Sequence, residues 1–96
     1  MLVLITYDVT TVDQKGRSRL RRVAKCCTNW GQRVQDSVFE CVLDISQLAI
    51  LKSELVAIID HEKDSLRFYL LGSKRPGSIE HYGCSPAVDY EGPLVV

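Results

Sequence analysis

Ninety-six residues are enough for one domain, and a chain this short buries roughly 65% of the surface its unfolded form exposes, so its core is modest. Twelve basic and twelve acidic residues give zero formal charge, so affinity for a polyanion has to come from how charge is distributed. The four cysteines (Cys26, Cys27, Cys41, Cys84) show no C-x-x-C spacing and only His61 and His81 accompany them, which argues against a zinc site and a disulfide framework; the apolar runs are too short to cross a bilayer, and the expected location is the cytoplasm.

Residues 2–7 of "LVLITYDVT" are a continuous apolar and β-branched run, the pattern of a buried central strand. Asp13 is the expected N-cap of a helix over Gln14–Asn29, whose inner stripe is Leu20, Val23, Ala24 and Cys27, with Trp30 beyond and Gly31 as a left-handed stop. Period two returns over 33–45: Val38, Glu40, Val42 and Asp44 on one face, Phe39, Cys41, Leu43 and Ile45 on the other. The length points to two short strands, or one bent strand, broken near Gln35–Ser37. Ser46 is the expected cap of a second helix, with Leu48, Leu51, Leu55, Ile58 and Ile59 as its stripe and an end near Asp60. "HEKDS" (61–65) reads as a polar turn and "LRFYLLG" (66–72) as the last core strand.

Residues 1–72 therefore form the core domain, and 73–96 an irregular tail. The tail is rich in Gly, Pro and Ser over 73–93 but ends on "PLVV", which suits a strand added to its own sheet or a partner's. The order of elements predicts an α+β, ferredoxin-like β-α-β-β-α-β sandwich. Its antiparallel sheet carries both helices on one face, with the first and third strands side by side in the middle.

Charge is unevenly placed. No acid occurs between Gln14 and Gln35, where Lys15, Arg17, Arg19, Arg21, Arg22, Lys25 and Arg33 supply seven of the twelve basic residues. Solvated helix faces usually mix signs, because oppositely charged pairs four apart stabilise helices. A single-signed, arginine-rich face suits phosphate contacts, and without an aromatic ladder the expected target is a nucleic-acid backbone.

Asp8 follows the central strand. An Asp there is commonly a cap or turn former. Three features point further: a rigid strand end, the basic helix close behind, and a dimer axis that can pair two copies. Two carboxylates with waters and a phosphate oxygen make a reasonable Mg²⁺ site (Mn²⁺ is an alternative), suited to phosphodiester hydrolysis. No general base stands out, since His61 and His81 lie outside these motifs.

The Tyr7-Asp8 strand end, the helix with Arg17 and Arg19, and the run from Arg33 to Phe39 within "WGQRVQDSVFEC" resemble the CRISPR-associated protein two family (Cas-two), over residues 1 to about 72. The resemblance implies a homodimer in which each terminal strand joins the partner's sheet. It also implies a metal-dependent endonuclease acting on RNA or double-stranded DNA. Asp8 would be the metal ligand, facing its twin, and Arg17, Arg19 and Arg33 would lie on the phosphate side. Tyr7, Ser37 and Phe39 would sit near the site. The implied partners are nucleic acid and the CRISPR integrase subunit of spacer acquisition. A non-catalytic DNA-binding scaffold bridging integrase subunits is the alternative, and a toxin-type endoribonuclease a more remote one.

Overall fold

The structure, a computed structural model, describes residues 1–9, 13–71 and 78–84. Its elements run β1 (Leu2–Asp8), α1 (Gln14–Thr28), β2 (Gly31–Gln35), β3 (Val38–Val42), α2 (Ile45–Ile58), β4 (Ser65–Leu71) and β5 (Ser78–Gly83). The five strands form one antiparallel sheet in the order β2-β3-β1-β4-β5. This is the expected ferredoxin-like plan with β1 beside β3, extended by one strand. β5 corrects the expectation of an irregular tail over 73–93. The "PLVV" ending lies outside the described residues.

Alternation along the strands decides which face is covered. Val3, Ile5 and Tyr7 of β1 point to the helices, and their register partners on that face are Phe39 and Cys41 of β3 and Leu66 and Phe68 of β4. Val23, Ala24 and Cys27 of α1 and Leu48, Leu51 and Leu55 of α2 close the core against them. The other face of the sheet presents Val42, Leu71 and Ile79, exposed by 75%, 42% and 54%.

Local chemistry explains the boundaries. Asp13 caps α1 as expected, its Oδ1 accepting from the Gly16 amide at 2.7 Å. α2 is capped by Asp44, not Ser46. Asp44 Oδ1 accepts from the Gln47 amide at 2.7 Å while Gln47 Oε1 accepts from the Asp44 amide at 2.9 Å, a reciprocal capping box. Ile45 consequently opens the helix and is 78% exposed instead of continuing the inward face of β3. Asp36 and Ser37 make the two-residue break between β2 and β3, with an irregularity in pairing between Arg33 and Gln35.

Gly31 is not a left-handed stop. α1 ends at Asn29 in right-handed geometry, and among the described residues only Gly83 has a positive φ. Gly31 instead begins β2 pressed onto β3, where a Cβ would lie 2.2 Å from the Glu40 carbonyl oxygen and 2.7 Å from Cys41 Sγ. Close strand approach, not backbone handedness, requires the glycine.

Candidate nucleic-acid interface and carboxylate site

β1 is enclosed almost to its end. Val3 and Ile5 are fully buried and Tyr7 is 1% exposed, whereas Asp8 stands in solvent. The strand is a rigid post for that carboxylate. The Tyr7 amide donates to the Ser37 carbonyl at 2.9 Å, so the β2–β3 turn is tied to the same end of β1. Asp8 pairs across the sheet with Ser65, the first residue of β4.

Among the described residues, no group of three or more His, Cys, Asp or Glu side chains could hold a metal ion. At the end of β1, Asp8 is one exposed hard oxygen ligand. That suits Mg²⁺, which keeps much of its water shell and takes one or two carboxylates with phosphate oxygens. The histidines part ways. His61 is exposed, with Nε2 3.0 Å from the Val56 carbonyl oxygen. His81, on β5, has Nε2 2.9 Å from Ser65 Oγ and so lies one residue partner away from Asp8. The sequence left it out because its strand was unrecognised.

The basic residues divide as well. Lys15, Arg17, Arg21, Arg22 and Lys25 are exposed along α1, as expected of a polyanion-binding face. α1 has no acid in its first turn. Arg33 is exposed on β2, where its Nε donates to the Asp36 carbonyl at 2.8 Å and its guanidinium lies 5.7 Å from the centre of the buried Phe39 ring. Those contacts stiffen a long side chain on the turn beside β1. Ser37 and Phe39 thus act as supports, Ser37 through its backbone and Phe39 through its ring.

Arg19 departs from the expected solvated face. Its side chain is 14% exposed and points inward to Asp64, with Nε donating to Oδ2 at 2.8 Å and Nη2 to Oδ1 at 3.2 Å. Asp64 is completely buried. Its Oδ2 also accepts the Tyr7 hydroxyl and, at 2.9 Å, the Asp60 amide. Burial alone would raise the Asp64 carboxyl, but the hydrogen bonds from Arg19, Tyr7 and Asp60 outweigh it and hold the group below the usual carboxylate range. The same contacts act on the partners: burial and the neighbouring carboxylate push the Tyr7 phenol well up, and Asp64 holds the Arg19 guanidinium more firmly protonated. Tyr7 therefore serves as a neutral, enclosed hydrogen-bond donor.

Asp64 is the residue the sequence reading missed, because "HEKDS" looks like a solvent turn. Two signals were present. Asp64 lies two residues before Leu66 and four before Phe68, on the inward phase of β4. Arg19 lies three after Gly16 and four before Val23, both buried, and so falls in the inner stripe of α1.

The chain is similar to Cas2 proteins over almost its whole length. Residues 1–79 match the family described as CRISPR associated protein Cas2. A "CRISPR-associated endonuclease Cas2" of Halalkalibacterium halodurans is 58% identical over 99% of either chain. A "CRISPR-associated endoribonuclease Cas2" of Nitratidesulfovibrio vulgaris is 56% identical over the whole of this chain and 94% of its own. The crystal structure of Streptococcus pyogenes Cas2 at pH 6.5 superposes with a TM-score of 0.73 at 56% identity, covering 75% of this chain and 87% of that one.

Proposed function

The chain belongs to the CRISPR associated protein Cas2 family, and from that premise we propose that it is an endonuclease of CRISPR defence, hydrolysing phosphodiester bonds in RNA or duplex DNA. The observation that carries the proposal is Asp8: a carboxylate left in solvent at the end of a strand whose helix-facing side chains are enclosed, in a chain whose helix α1 bears exposed lysines and arginines and no acid. The relatives' names, endonuclease in one case and endoribonuclease in the other, support the same reaction class.

The chain's residues divide the work. Lys15, Arg17, Arg21, Arg22 and Lys25 bind backbone phosphates from α1, and Arg33 adds a preset cation from the β2–β3 turn. β1 holds Asp8 where the bound strand passes. A divalent ion held there would stabilise negative charge on the phosphate and acidify a water. One carboxylate at this strand end is a sparse ligand set, so Asp8 of two copies would hold the ion. The apolar sheet face bearing Val42, Leu71 and Ile79 supports a homodimer, since apolar patches of this kind mark association surfaces. We include the CRISPR integrase subunit among the proposed partners, a reading in keeping with family membership.

The non-catalytic scaffold draws support from the same basic face and from the small number of ligands around Asp8. Incubating the purified protein with RNA, single-stranded DNA and duplex DNA, with Mg²⁺ or with EDTA, separates the two. Cleavage that EDTA abolishes supports the nuclease. Tight, salt-sensitive binding with no cleavage of any substrate supports the scaffold.

A further inference from the structure

We propose that Arg19 is a positioning residue, clamped inward by Asp64 so that it holds Tyr7 and the end of β1 carrying Asp8, and that it makes no phosphate contact of its own. The inference rests on the proposed role of Asp8 and extends it to residues that touch neither substrate nor metal.

Four observations carry it. First, Asp64 is completely buried, and a buried carboxylate needs a charged partner; Arg19 is the cation that meets it. Second, the Nε–Nη2 edge of the guanidinium, one of the edges that could grip a phosphate in fork fashion, is already spent on both oxygens of that carboxylate. A phosphate could recruit that edge only by stripping Asp64 of its counter-charge. Third, one oxygen, Asp64 Oδ2, accepts from both Arg19 Nε and the Tyr7 hydroxyl, so the arginine and the tyrosine are held by the same atom. Fourth, Tyr7 is pinned at both ends, by its hydroxyl to Asp64 and by its amide to the Ser37 carbonyl, and Asp8 is its chain neighbour. Asp8 in turn pairs with Ser65, the residue after Asp64. Helix α1, strand β1 and the turn before β4 thus meet at one buried carboxylate, next in the chain to the register partner of the exposed one. Losing the clamp would misplace Asp8 while leaving the outer basic face unchanged.

The test uses the full chain with the double substitution Arg19→Gln/Asp64→Asn. This removes one cation and one anion and keeps side chains able to hydrogen-bond to each other. Its affinity for a 30-base-pair DNA duplex is measured against salt, with Arg21→Gln as the comparison. Each lost phosphate contact lowers the slope of log affinity against log salt by about 0.9. The proposal expects that loss for Arg21→Gln and an unchanged slope for the double variant. It also expects kcat for hydrolysis to fall about tenfold or more with KM within about twofold, the pattern of a displaced reacting group and not of lost substrate binding. A slope that falls by about 0.9 in the double variant makes Arg19 a phosphate ligand and overturns the proposal. An unchanged slope with unchanged kcat overturns the positioning role. Should the double variant fail to fold, Arg19→Lys decides: a fall in kcat alone supports the clamp, and a rise in KM alone contradicts it. Should the parent protein cleave nothing, the nuclease reading fails by itself, and the salt slope still decides where Arg19 is committed.

Discussion

Arg19 and Asp64, 45 residues apart in the chain, meet as a two-bond ion pair between α1 and the turn before β4, with Asp64 shut off from solvent and the Tyr7 hydroxyl sharing its Oδ2 atom. Removing one partner of such a pair is more damaging than never having had it, because the other charge stays behind without compensation. Asp64→Ala leaves the Arg19 cation and the Tyr7 hydroxyl facing an empty space. The expected loss is about 3–5 kcal/mol, read as a lower urea midpoint with an unchanged slope.

The same pair sets an acid limit. The Asp64 carboxyl is held below its ordinary value in the folded protein. The unfolded chain therefore binds a proton there first as pH falls. The stabilisation from ionised Asp64 is fully present above the ordinary carboxylate value of about 3.9 and is lost as pH drops from there through the lower folded value. Urea midpoints of the parent protein should fall over that interval. Those of Asp64→Asn, which has no proton to gain, should fall less, and the two proteins should converge at the acid end. Parallel curves for the two would contradict the assignment.

Gly31→Ala should destabilise through strand separation. The added methyl carbon would lie 2.2 Å from the Glu40 carbonyl oxygen and 2.8 Å from Cys41 Cα, both backbone atoms with no rotamer to yield. β2 must lift from β3, at an expected cost of about 1–3 kcal/mol in thermal or urea unfolding. Because β2 carries Arg33 over the Phe39 ring, duplex affinity should fall with it even though no charge changes.

Much of this arrangement was legible in the sequence, and the rest was hidden for identifiable reasons. The apolar run Leu2–Tyr7 marks a central strand because only a strand covered on its flanks tolerates such a run, and Asp13 marks a helix start by its side-chain oxygen. Asp8 stood out as a polar residue on a greasy post. β5 was obscured because Pro76 and Gly77 directly before it, and Pro86 shortly after, give the whole stretch the composition of a loop. The role of Asp64 depended on a contact 57 residues away with Tyr7, which no local pattern records. Arg19 shared its composition with its neighbours on α1, and only its phase relative to Gly16 and Val23 separates it from them. Gly31 looked like a helix terminator because a glycine just past a predicted helix, here two residues beyond Asn29, usually is one; its close approach to β3 became visible only with the sheet assembled.

The outer face of α1 makes an electrostatic prediction. Arg21 and Arg22 are exposed with no acid between Gln14 and Gln35 to offset them. Reversing both to Glu should reduce duplex affinity steeply at low salt and flatten its salt dependence by about two phosphate contacts' worth. Gel-shift or anisotropy titrations between about 50 and 200 mM salt check this. Unchanged binding would remove α1 from the interface.

The most direct measurement is the rate of Mg²⁺-supported cleavage by Asp8→Asn beside the parent protein, on whichever nucleic acid the parent cuts. The substitution is nearly isosteric and Asp8 stands in solvent, so fold and stability should be retained. With the carboxylate gone, the rate is expected to fall at least about a hundredfold, to background, while duplex binding persists. Cleavage by Asp8→Asn at the parent's rate would contradict the assignment of this carboxylate and place any hydrolysis elsewhere.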